Sequence, residues 1–188
     1  MPLTLKSSGG GSVTLDTPST ASTYTLTVPA ITGTAVVTGS SATISQAMLA
    51  TGVAGTGPTF LVNTDGTQSI SNNTFTKLNL TNEVFDTANA FSSSAFTPLV
   101  AGYYVFSFSV NFSSSTNQMF AELRKNGGRI ALGSIVPGTA IESVSSGSAI
   151  LYMNGSTDYI ELYGYQNSGG SATSRSNTYL AGSLVRAA

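Results

Sequence analysis

The stretch from Tyr103 to Phe112 reads YYVFSFSVNF, with a large apolar side chain at every second position. Successive side chains of a strand point to opposite faces, whereas a helix returns to one face every third or fourth residue, so this run is a strand. Tyr104, Phe106, Phe108 and Val110 share one face and are expected in a core. Tyr103, Val105, Ser107 and Ser109 make up the opposite face, which is small and uncharged. An uncharged second face can meet a neighbouring layer or a copy of itself.

The same period recurs from Phe60 to the chain end. Phe60 to Asn63 stops at Asp65-Gly66, and Phe75 to Phe85 reads as one long alternating stretch. Phe120 to Arg124 meets Asn126-Gly127-Gly128 before Arg129 to Val136 returns, the signature of a hairpin. Ala149, Leu151 and Met153 alternate with Ile150 and Tyr152, again without charge on either side, and end at Asn154-Gly155. Tyr159 to Tyr165, a polar loop from Gln166 to Asn177, and Tyr179 to Val185 complete the chain. Short strands separated by turn residues, with no convincing helix, predict an all-β fold whose C-terminal part is an antiparallel jelly-roll sandwich.

Composition shifts at Gly55-Thr56-Gly57-Pro58. Before it, Lys6, Asp16 and Tyr24 are the only charged or aromatic residues, and all nine Phe follow it. We therefore expect two modules, an extended Ser/Thr/Gly-rich β arm over residues 1–57 and a head over 58–188. In the arm, Val13 and Leu15 flank Thr14, Tyr24, Leu26 and Val28 alternate with threonines, and Ile31 follows. Strands this small bury little surface, so the arm needs a partner or copies of itself, unless it is simply a flexible linker. Ala42 to Ala50 could form at most two helical turns, capped by Ser41 or Thr43.

Charge excludes more than it includes. The 188 residues carry 7 Lys+Arg and 8 Asp+Glu, a net charge of -1, and 8% charged residues is about a third of the usual fraction. No basic stripe exists to neutralise phosphates, so no nucleic-acid partner is expected. There is no His, Cys or Trp, which removes disulfides, thiolate nucleophiles, zinc-cysteine sites and the usual general base. Asp65, Asp86, Asp158, Glu83, Glu142 and Glu161 are scattered, with no calcium-loop pattern, and no serine sits in a G-x-S-x-G elbow. We expect no enzyme activity, no cofactor and no metal. The first residues do not read as a secretory signal and no run approaches 18 apolar residues, so membrane insertion is not expected.

Two surface features remain. Arg124, Lys125 and Arg129 cluster across one hairpin, where an anionic glycan could sit; the ordinary reading is a solvated turn paired locally to Glu122. Tyr163 and Tyr165 could stack on a sugar, although strand aromatics are usually core. The loop QNSGGSATSRSN is the expected exposed recognition surface, with Gln166, Asn167, Arg175 and Asn177 as its candidate residues.

Three segments carry a resemblance: FTPLVAGYYVFSFSV from Phe96 to Val110, FAELRKN from Phe120 to Asn126, and LAGSLV from Leu180 to Val185. Together they resemble the trimeric jelly roll of tumour necrosis factor and of the complement globular heads, over about residues 59–188. Between them SGSAILYMNGSTDYIELYGY fits the last hairpin, with Asp158 near the family's usual acidic position. The resemblance implies a homotrimer closed around a threefold axis, with Tyr103, Val105, Ser107, Ser109, Ile150 and Tyr152 at the interface.

The segment TYTLTVPAITGTAVVTG, Thr23 to Gly39, resembles an element of bacteriophage tail-fibre and appendage proteins. It implies a structural protein assembled in the host cytoplasm and carried on the virion surface: a capsid decoration or head-fibre-like knob. Tyr24, Leu26, Val28 and Ile31 of the arm would then dock on another virion protein of the capsid or tail. The alternative is a short tail-fibre tip or adaptor that binds a host surface glycan.

Overall fold

The computed structural model describes residues 3–6, 8–10, 12–15, 57–113, 117–137 and 142–188. The chain divides into two compact units, Met1–Ser40 and Ser41–Ala188. Tyr24, Leu26, Val28, Ile31, the expected helix at Ala42 to Ala50 and the rest of residues 16–56 of the expected arm lie outside the described residues. In the first unit β1 (Leu3–Lys6) pairs antiparallel with β2 (Ser12–Leu15), Leu3 opposite Leu15 and Lys6 opposite Ser12.

The second unit contains β3 (Thr59–Asn63), β4 (Gln68–Ile70), β5 (Thr76–Lys77), β6 (Asn82–Asp86), β7 (Phe91–Ser92), β8 (Ala95–Phe96), β9 (Gly102–Ser113), β10 (Gln118–Lys125), β11 (Gly128–Leu132), β12 (Val136–Pro137), β13 (Glu142–Met153), β14 (Ile160–Gln166), β15 (Ala172–Ser174) and β16 (Tyr179–Ala187). They form two antiparallel sheets, and no helix occurs among the described residues.

The first sheet is built on β9. On one side β13 follows it along its whole length, from Glu142 opposite Ser113 to Met153 opposite Gly102. On the other side lie β16, then β3 and β6, with β15 and β4 continuing beyond the end of β16. The second sheet runs β11-β10-β14-β8-β7, with β12 added to β10 and β5 to β14.

Tyr104, Phe106, Phe108, Val110 and Phe112 of β9 are fully buried, so the alternating row does face the core. From the second sheet Met119, Ala121, Leu123, Ile160 and Leu162 meet them. Phe60 stacks on Phe96 at 4.1 Å between ring centres, and Phe96 meets Tyr104 edge-on at 5.8 Å. The Tyr104 hydroxyl donates to the Val100 carbonyl at 2.8 Å, and burial pushes its pKa up to about 12.

Asn126-Gly127 makes the expected turn: Asn126 and Gly127 have φ of 52° and 78°, and Lys125 stands opposite Gly128. Two other expectations are corrected. Phe75 to Phe85 is not one strand: β5 joins the second sheet and β6 the first. Leu78 and Leu80 between them are buried, so their alternation reflects a segment anchored in the core between the sheets, held by Leu78 N–H on Leu162 O at 2.9 Å. SGSAILYMNGSTDYIELYGY is likewise no hairpin, since β13 pairs with β9 and β14 with β10. The turn at Asn154 carries the chain across instead; Asn154 Oδ1 accepts from the N–H groups of Ser156, Thr157 and Asp158, each at 3.0 Å.

Candidate functional site

The outward face of the β9 sheet places most of the expected interface residues together. Tyr103 and Tyr152 are neighbours in register, their rings edge-on at 5.6 Å, and Ile150 stands next to Val105. Tyr103 is 48% exposed, Ile150 64% and Tyr152 44%, which is unusual for side chains this apolar. Val105 and Ser107 are half-buried and line a shallow apolar depression with Leu61, Phe85, Ala181 and Ser183. Ser109 is different: at 6% exposure it is already covered within one chain, standing between Ser146 of β13 and Tyr179 of β16. The outward row of β13 from Val144 to Tyr152 is Val144, Ser146, Ser148, Ile150 and Tyr152, without charge. The charge of Glu142, at the far end, is taken by Arg175 Nη1. Sequence reasoning missed Phe85 and Leu61, because the strand register that brings them to this face is long-range.

The opposite sheet carries most of the ion pairs among the described residues. Glu122, on β10, is fully buried, yet both its carboxylate oxygens are occupied: Arg124 Nε lies 2.6 Å from Oε1 and Arg129 Nε 2.8 Å from Oε2. Beside them Lys77 Nζ meets Glu161 Oε1 at 2.6 Å, and Lys125 Nζ meets Asp158 Oδ2 at 2.7 Å. The expected cluster of Arg124, Lys125 and Arg129 is thus divided between two carboxylates. Pairing to Glu122 is as read from the sequence, but the carboxylate is buried and not solvated.

Its cover is aromatic. Arg124 Cζ lies 4.0 Å from the Tyr163 ring centre and 5.0 Å from that of Phe75, and Arg129 Cζ lies 5.5 Å from Phe75. Phe75 and Phe120 each lie 4.7 Å from Tyr165. Tyr163 and Tyr165 are half-buried members of this layer and lie outside the sandwich core cluster, contrary to the ordinary reading of strand aromatics. Burial and the adjacent Glu161 carboxylate raise the Tyr163 pKa above its ordinary value. No sequence signal ties Phe75 to this site, since it reaches the layer from the link between β4 and β5.

The expected recognition loop does not present its candidates together. Gln166 is fully buried, which corrects its placement on an exposed surface. Its Nε2 donates to the carbonyls of Ile70 and Gly170, both at 2.8 Å, and its Oε1 accepts from Ser168 N and Oγ at 2.7 and 2.6 Å. Asn167 is half-buried, Arg175 is half-buried on Glu142, and Asn177 alone is exposed, in a left-handed conformation with φ of 70°. Among the described residues no group of three or more Asp or Glu could hold a metal, and no helix is long and apolar enough to cross a membrane.

The sequence matches no protein-family model and no curated protein. Among solved structures, the globular domain of the zebrafish complement 1qA protein superposes with a TM-score of 0.53 at 17% identity, over 70% of this chain and 100% of that one. The Eiger tumour necrosis factor of S. frugiperda superposes with a TM-score of 0.50 at 15% identity, over 70% of this chain and 91% of that one. Identity this low speaks for the fold alone, and the chain has the jelly-roll fold of the complement globular domain and of tumour necrosis factor.

Proposed function

We propose that this chain is a non-enzymatic structural protein: a homotrimeric jelly-roll knob that decorates a bacteriophage particle and is anchored by residues 1–57. The observation that carries the reading is the outward face of the β9 sheet, where Tyr103, Ile150 and Tyr152 are exposed and the row from Val144 to Tyr152 has no charge. A contiguous apolar face of this kind marks a protein contact, and copies related by a closing rotation cover it without leaving an open filament.

The arm is the attachment device. A two-stranded ribbon with four residues per strand, as in β1 and β2, is marginal in isolation and is stabilised when another chain supplies a sheet edge. The virion surface as the location is supported by the likeness of Thr23 to Gly39 to phage appendage elements and by the absence of cysteine, in keeping with assembly in a reducing cytoplasm. A tail-fibre tip or adaptor for a host glycan is the second reading, favoured by the arginine and aromatic layer on the opposite sheet.

Electron cryomicroscopy of particles with and without this chain tests the reading. Loss of threefold knobs from capsid sites is the expected result. Loss from the tail shifts the assignment to the adaptor, and particles with no knob at either place overturn both.

A further inference from the structure

We propose that the layer formed by Arg124, Arg129, Phe75 and Tyr165 on the second sheet binds a carboxylate-bearing sugar. One carboxylate, Glu122, is shared by two guanidinium groups, while the neighbouring Lys77–Glu161 and Lys125–Asp158 pairs are neutral, so the layer holds one positive charge more than its fold requires. Arg129, which carries that surplus toward solvent, has a 52% exposed side chain.

Each arginine is anchored through Nε, and both guanidinium carbons lie over the Phe75 ring, at 5.0 and 5.5 Å from its centre. Anchored this way, Arg129 offers its terminal nitrogens as a fork that matches a carboxylate, and the orientation is set before a ligand arrives. Phe75 and Tyr165, half-buried side by side, offer an apolar surface next to that fork. Apolar surface flanked by a few placed polar groups is the composition of sites that recognise small ligands. An acidic sugar, with one face of C–H bonds and a carboxylate at the ring edge, fits both halves. The site lies on the second sheet and begins where the loop at Gln166 to Asn177 leaves it, whereas Arg175 of that loop pairs with Glu142 of the first sheet.

Calorimetric titration of the full-length protein with sialyllactose against lactose, and with glucuronate against glucose, is the test. At least one acid is expected to bind about tenfold or more tightly than its neutral partner, with affinity falling as salt rises. Arg129→Gln is expected to remove that preference in a chain that still folds, with a lowered melting midpoint because Glu122 loses one of its two partners, and Arg129→Lys to restore only part of the preference, since an ammonium keeps the charge but not the fork. Arg175→Gln, in the loop, is expected to leave binding intact. Equal affinity for acids and neutral sugars, no binding of either acid, or loss through Arg175→Gln with Arg129→Gln unaffected overturns the assignment. A monomeric Val105→Lys chain is expected to keep the preference, which separates this site from the oligomer.

Discussion

Gly182 shows what a single residue controls here. It lies on β16 opposite Phe60 on one side and Phe106 on the other. A Cβ at this position would stand 2.7 Å from Phe60 Cε1 and 2.8 Å from Phe106 Cδ1, inside the van der Waals distance of rings that are themselves fixed in the core. Neither ring has room to withdraw, because Phe60 is stacked on Phe96 and Phe106 meets the same Phe96 at 6.0 Å. Gly182→Ala is therefore expected to cost about 1–3 kcal/mol, read as a lower urea midpoint. Gly170, in the loop after β14, has nothing within 4 Å of such a Cβ, and Gly170→Ala is expected to change stability by less than about 0.5 kcal/mol. Equal effects of the two substitutions would mean that the rings near Gly182 can repack.

Among the elements, Asp158 joins two turns that pairing alone leaves separate. Its carboxylate takes Lys125 Nζ at 2.7 Å and Asn126 Nδ2 at 2.7 Å from the β10–β11 turn, and the N–H of Asn154 at 2.9 Å from the crossing between sheets. The bonds from Lys125 and then Asn126 hold its pKa below the ordinary 3.8. A carboxyl whose folded pKa is depressed contributes stability that is complete above its unfolded value and is lost as pH falls through the folded one. The urea midpoint is thus expected to fall as pH drops below about 3.8, and Asp158→Asn to flatten that part of the profile while lowering the midpoint near neutrality. A variant with the same acid slope as the parent would remove Asp158 as its source.

Periodicity had already placed many of the strands and their faces: β9, the Ala149–Met153 end of β13 and the Asn126-Gly127 hairpin are where alternation and turn chemistry put them, whereas Glu142 to Ser148, rich in serine, carried no such signal. What it could not supply was the partner of each strand. Alternation assigns a residue to a face but does not say which sheet the face belongs to, so Phe75 to Phe85 and the supposed last hairpin were each read as one unit. Gln166 failed for a related reason. Its burial is set by the carbonyl of Ile70, 96 residues away, and nothing in a run of polar loop residues records that contact.

At the scale of the molecule, the two sheets divide the chain's charge between them. Lys77, Arg124, Lys125 and Arg129 form ion pairs on or beside the β10 sheet, whereas the outward rows of β9 and β13 around Val105 and Ile150 are uncharged. Such a sheet is suited to being covered, and the cover is expected to be other copies of this chain. Folding of an oligomer is linked to protomer concentration, so the melting midpoint is expected to rise with concentration and the native mass to equal three chains. Val105→Lys tests this without disturbing the core. Val105 faces away from the sandwich and is half-buried in the single chain, so a lysine there can carry its ammonium to solvent in a monomer. In the assembled state three such charges would be taken out of water together with no carboxylate among the neighbours Leu61, Phe85, Ile150 and Ser183 to meet them, a cost of several kcal/mol. The variant is expected to be a folded monomer whose midpoint is lower than the parent's and independent of concentration. A parent chain with the mass of one protomer and a concentration-independent midpoint would leave the apolar face to a different partner and remove the threefold knob with it.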